Sequence, residues 1–97
     1  MKRVRFHPEA LAEADEAAGY YEARKTGLGL DFRKAITAAV RRIEQAPERW
    51  PPLTERTRRF RLRRFPYSVV FAVLPDRISV VAVAHDKRRP GYWKERL

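Results

Sequence analysis

Apolar positions along the chain recur with two periods. Between Lys2 and Phe6 they alternate, with Val4 and Phe6 on one side and Arg3 and Arg5 on the other, which predicts a short strand. From Pro8 to about Arg24, Leu11, Ala14, Ala18 and Tyr21 follow helical spacing. Pro8 suits a first helical position, Glu9, Glu13, Asp15 and Glu16 suit the positive end, and Arg24, Lys25 and Gly27 suit a C-terminus. His7 then reads as a helix-boundary residue. Gly27 and Gly29 bracket a turn, Asp31 is the candidate N-cap of a second helix, and Phe32, Ile36, Ala39, Val40 and Ile43 form its stripe as far as about Ala46, before Pro47. So short a link predicts an antiparallel helix hairpin.

Alternation returns at Arg58–Arg64, where Phe60 and Leu62 oppose Arg59, Arg61 and Arg63. Pro66 marks a corner. Tyr67–Leu74 and Arg77–His85 then read as a hairpin closed at Pro75-Asp76, a type I rather than a primed turn, because proline cannot take positive φ. Val80–Ala84 is apolar on both sides, which predicts a central strand with both faces covered; the helix hairpin accounts for only one of them. The fold class expected is α+β: an N-terminal strand and an antiparallel two-helix hairpin packed on a mostly antiparallel four-stranded sheet, with a short basic C-terminal tail, in a single domain spanning residues 1–97. Phe6, Leu11, Phe32, Ile36, Val40, Ile43, Phe60, Leu62, Val69, Phe71, Val80 and Ala82 are the expected core.

Charge adds what the pattern does not show. The net charge is +10, and it is segregated: residues 1–50 hold ten Lys/Arg against eight Asp/Glu, whereas residues 51–97 hold twelve against four. A surplus of this kind calls for an acidic partner or a polyanion. Cysteine is absent, which removes disulfides and thiolate metal sites, and no metal-ligand spacing occurs, so neither metal nor cofactor is expected. No apolar run follows the basic residues of Met1–Arg5 and none approaches the roughly 18 residues of a membrane span, so a cytoplasmic protein without signal peptide or membrane anchor is expected.

The order of strand, helix hairpin, three strands and basic aromatic tail resembles the RelE/ParE superfamily of bacterial type II toxins. The resemblance is carried by Phe65-Pro66-Tyr67 entering a Val/Phe strand, and by Val83-Ala84-His85 running into Arg88-Arg89-Pro90-Gly91-Tyr92-Trp93. It covers essentially the whole chain. It implies a toxin of a plasmid-stabilisation or stress module, neutralised by a cognate antitoxin, which the basic charge predicts to be acidic. It also implies a fork: RelE-like members cut mRNA on the ribosome, whereas ParE-like members act on DNA gyrase.

For RNA cleavage without a metal, a group must take the 2′-hydroxyl proton and cations must stabilise the phosphorane. The candidates are His85 at a strand end as base, with Arg61 and Arg63 on the phosphate. For target binding without chemistry, the candidates are Arg59, Lys87, Arg88, Arg89, Tyr92 and Trp93. Two positions depart from the ribonuclease pattern. Ser68 stands where such members commonly carry an arginine, and the loop Trp50-Pro51-Pro52-Leu53 lacks their glutamate, with Glu48 and Glu55 only nearby. These departures favour a ParE-like gyrase inhibitor; a RelE-like ribosome-dependent endoribonuclease is the alternative, and a generic basic nucleic-acid-binding module the third reading.

Overall fold

The computed structural model describes residues 2–97; Met1 lies outside them. Its elements are β1 (Val4–Phe6), α1 (Pro8–Arg24), α2 (Leu28–Gln45), β2 (Arg58–Arg61), β3 (Tyr67–Val73) and β4 (Ile78–His85), with single 3₁₀ turns at Pro47–Arg49 and Lys94–Arg96. The sheet order is β1-β4-β3-β2. β2, β3 and β4 run antiparallel and β1 lies parallel to β4, so the expected α+β arrangement holds and β4 is central.

The helix hairpin closes differently from the sequence expectation. α2 begins at Leu28, three residues before Asp31, and its N-cap is Gly27 in the left-handed region at φ 91°. The missing cap group comes from the preceding helix: the Glu22 carboxylate accepts the N–H groups of Gly27 and Gly29, each at 3.1 Å. Asp31 sits inside the first turn of α2 and pairs with Arg64 at 3.1 Å. At the other end, Pro8 opens α1 and the His7 Nδ1 accepts the Glu9 N–H at 3.1 Å, a side-chain cap that satisfies one orphan donor of the first turn.

The buried side of α1 is Ala10, Ala14, Ala17 and Ala18. Leu11, expected in the core, is 51% exposed, because the stripe is centred one position earlier and Leu11 falls off its edge. Small alanines let α2 approach, and Phe32, Ile36, Ala39 and Ile43 bury against them and the sheet. Phe32 packs edge-on to Phe65 and Tyr67 at centroid distances of 5.1 and 5.2 Å. Phe6, Val40 and Phe60 are half-buried at the margin of this core.

β2 stops at Arg61, three residues before the expected end. Proline at 66 cannot donate, and the Tyr67 N–H turns back to the Phe65 carbonyl at 2.8 Å, so the chain reverses through Arg63 and Arg64 while Leu62 still accepts cover from the core at 6% exposure. The β3–β4 turn has no non-glycine residue at positive φ, which excludes a primed turn.

The register of β3 against β4 slips between Val70 and Phe71: Val70 faces Ala82 and Phe71 faces Val80, leaving Val81 as the extra residue of a bulge. The bulge sorts the continuous apolar run. Ile78, Val80 and Val83 join the helix-side core, while Val81 and Ala82 both join Val70 in a second cluster on the opposite face. The cover that the sequence did not supply for that face is Trp93, which is 3% exposed there, with Tyr92 beside it.

Candidate target-binding cleft

Past the second cluster, the same sheet face opens into a cleft of about 430 Å³. Strand register builds two of its walls. Arg59 stands opposite Val70 and Arg61 opposite Ser68, so the outward side chains of β2 and β3 rise from one face. Ala84 and His85 close β4, and the tail folds over with Arg88, Arg89, Tyr92, Trp93 and Lys94. Arg59, Arg61, His85, Arg88, Arg89, Tyr92 and Trp93 are thus brought together from three strands and the tail. Arg63 and Lys87 are exposed and do not line the cleft, because Arg63 lies in the reversal after β2 and Lys87 in the turn after β4.

The cations in the cleft are not equivalent. Arg61 is committed to Asp86, Nη2 to carboxylate at 2.9 Å. Arg88 lies over the Tyr92 ring, 3.8 Å from its centroid, where the π-face attracts it while leaving its N–H groups free. Among the described residues, Arg59, Arg88 and Arg89 make no ion pair.

His85 is held on two sides. Its Nδ1 accepts the Lys87 N–H at 3.0 Å, and its ring meets Tyr67 edge-on at 5.0 Å. In the neutral ring an accepting Nδ1 leaves the proton on Nε2, so the other nitrogen is a donor. Asp86, which carries the carboxylate of the cleft, is engaged by Arg61. Trp93, one of the target-binding candidates from sequence, is 3% exposed and packs as cover for the sheet at the edge of the cleft. The cleft therefore presents free guanidinium groups over an apolar floor of Val70 and Ala84, a surface suited to acidic side chains or phosphates.

Sequence reasoning missed the group that shapes this site. Glu13, on α1, accepts hydrogen bonds from the Val83 N–H at 3.0 Å, the Tyr92 hydroxyl at 2.8 Å, and Arg96 at 3.0 and 3.1 Å. Burial first, then the bond to Glu13, raises the Tyr92 phenol well above its ordinary range. The Glu13 carboxylate likewise raises Arg96. These partners lie 70 to 83 positions apart, beyond the reach of any local pattern.

The family model described as "ParE toxin of type II toxin-antitoxin system, parDE" matches residues 4–90, nearly the whole chain and every strand and helix of the core. The chain belongs to the ParE toxin family. Proteins named Toxin ParE2 from two Mycobacterium tuberculosis strains, CDC 1551 and H37Rv, are each 30% identical over 91 residues, covering 93% of this chain and 87% of theirs. A solved structure titled "Chromosomal ParDE TA system from P. aeruginosa" superposes with a TM-score of 0.75 at 21% identity, over 88% of this chain and 96% of that one, and shows the same fold. A toxin of the ParE family belongs to a type II toxin-antitoxin system, and such a system implies an antitoxin partner. Among the described residues no helix is long and apolar enough to cross a membrane.

Proposed function

We propose that this ParE-family toxin acts in the cytoplasm by binding DNA gyrase through the basic cleft, without cutting RNA, and that an acidic antitoxin neutralises it. The observation that carries the reading is the hydrogen bond at His85 Nδ1. Its Nδ1 is occupied by the Lys87 N–H, so the free nitrogen donates where a ribonuclease would need a base. Ser68 lines the wall where an additional arginine would be wanted, and Arg61 is already paired with Asp86. What the cleft retains is a set of guanidinium groups at Arg59, Arg88 and Arg89 without an ion pair among the described residues, suited to holding an acidic surface.

The test is induction of the toxin followed by two assays, gyrase supercoiling and cleavage mapping of translated mRNA. The double variant Arg88→Glu/Arg89→Glu is expected to lose growth inhibition and gyrase inhibition together, while His85→Ala keeps both. A ribonuclease would give the reverse: mapped cleavage in the parent, and a loss of roughly 10²–10⁴-fold on His85→Ala as a general base disappears. Each variant is checked for an unchanged far-UV circular dichroism spectrum.

A further inference from the structure

β1 pairs with β4 only over Ile78–Val80, and the His7 N–H to Val80 carbonyl bond at 2.8 Å is the last contact of that edge with the N-terminal strand. From Val81 onward the outer edge of β4 has no neighbouring strand among the described residues, yet it lies under α1 and the tail. Its backbone groups need partners. Two side chains supply them. The Glu13 carboxylate accepts the Val83 N–H at 3.0 Å, and the Arg96 Nη1 donates to the Val81 carbonyl at 3.1 Å. The two groups also bind each other, Nη1 to Oε1 at 3.0 Å and Nη2 to Oε2 at 3.1 Å, with side chains only 15% and 10% exposed. Acceptor and donor together occupy the place that a longer β1 would take.

The same carboxylate fixes the tail. Tyr92 donates to Glu13 Oε2 at 2.8 Å, and two guanidinium groups lie near its ring, Arg96 at 5.1 Å and Arg88 at 3.8 Å from the centroid. Arg88 is one of the cleft cations without an ion pair among the described residues, and Trp93, the next residue after Tyr92, is packed into the second cluster. A line of contact runs from α1 through Tyr92 to Arg88.

We propose that Glu13 is a positioning residue for the target-binding surface: it latches residues 92–96 onto the open edge of β4, and through Tyr92 it sets where Arg88 stands. It contributes to inhibition without touching the target. The role in inhibition rests on the tail being the target-facing surface, as argued above; the latch itself does not. The geometry also separates a latch from a simple ion pair, since the Glu13 oxygens must accept from a backbone N–H and a phenol as well as from Arg96.

The test uses the full chain with Trp50→Phe, so that Trp93 is the single tryptophan and its emission reports whether the tail is docked. Glu13→Ala is expected to keep the far-UV spectrum, shift Trp93 emission to longer wavelength, open the Lys87–Arg89 segment to trypsin, and lose growth inhibition. Glu13→Gln retains an acceptor for the Val83 N–H and a hydrogen-bonding partner for Tyr92, and is expected to restore part of both the emission and the inhibition. Tyr92→Phe removes one hydroxyl and tests the same link where Glu13→Ala fails to fold; it is expected to shift emission and weaken inhibition in parallel. Full inhibition in Glu13→Ala, or lost inhibition with unchanged emission and trypsin resistance, overturns the proposal. If Arg88→Glu/Arg89→Glu leaves inhibition intact while Glu13→Ala still releases Trp93, the latch stands and the assignment of the tail as target surface falls.

Discussion

Arg61 and Asp86 face each other across the mouth of the cleft at 2.9 Å, tying the end of β2 to the first residue after β4. Their side chains are 63% and 29% exposed, so screening keeps the contribution to stability small. The pair matters for charge: it cancels one of the cations on the cleft wall.

Asp86→Asn is accordingly expected to change unfolding free energy by less than about 1 kcal/mol. Arg61 would then be released into the cleft, and the protein would elute from a heparin column at higher salt, since one more cation contact with the sulfated polyanion releases another counterion. Asp76→Asn is the control. It makes the same change in net charge at the β3–β4 turn, where Asp76 pairs with Arg77, and it should move elution less.

Gly29 and Gly19 make a contrasting pair on the helix hairpin. A Cβ at Gly29 would lie 2.6 Å from the Ala18 carbonyl oxygen and 3.0 Å from the Glu22 Cβ, so Gly29→Ala must push α1 and α2 apart. A loss of about 1–3 kcal/mol in denaturant unfolding is expected, despite the gain in helix propensity. A Cβ at Gly19 meets nothing within 4 Å, and Gly19→Ala should stabilise by about 1 kcal/mol. Equal effects from the two substitutions would contradict the close helix approach.

Alkaline pH should weaken the fold. Burial is the first cause that raises the Tyr21, Tyr67 and Tyr92 phenols above the ordinary 10.0, and for Tyr92 the hydrogen bond to Glu13 adds to it. A folded pKa above the unfolded one means that the native state keeps a proton that the unfolded chain releases. The stabilisation is complete below pH 10.0 and is lost as pH rises beyond it toward the folded values. Melting temperature measured from about pH 8 to 11 should fall at the upper end, and Tyr92→Phe should flatten that fall. A melting temperature that rises through this window would reverse the sign of the argument.

The two periods of the apolar pattern were enough to place every helix and strand, because helical and extended backbones expose side chains at different intervals whatever they pack against. Pro8, Pro47 and Pro66 marked boundaries that the fold keeps, since a residue without an N–H cannot continue a helix or a ladder. The charge surplus and the layout from Phe65 to Trp93 were legible too, and they pointed to the family that the comparisons confirm. What the chain order could not reveal were choices made between distant segments. The cap of α2 came from Glu22 instead of Asp31, because a carboxylate from the preceding helix reaches Gly27 and Gly29 once the hairpin has closed. The second sheet face was covered by Trp93, after the bulge at Val81 had turned two consecutive residues to that side. Glu13 read from sequence as one of several acids favourable near a helix N-terminus; its role depends on Val83, Tyr92 and Arg96 converging on it. Periodicity is a property of the local backbone, whereas the partner of a buried polar group is decided by which other groups the fold leaves unpaired.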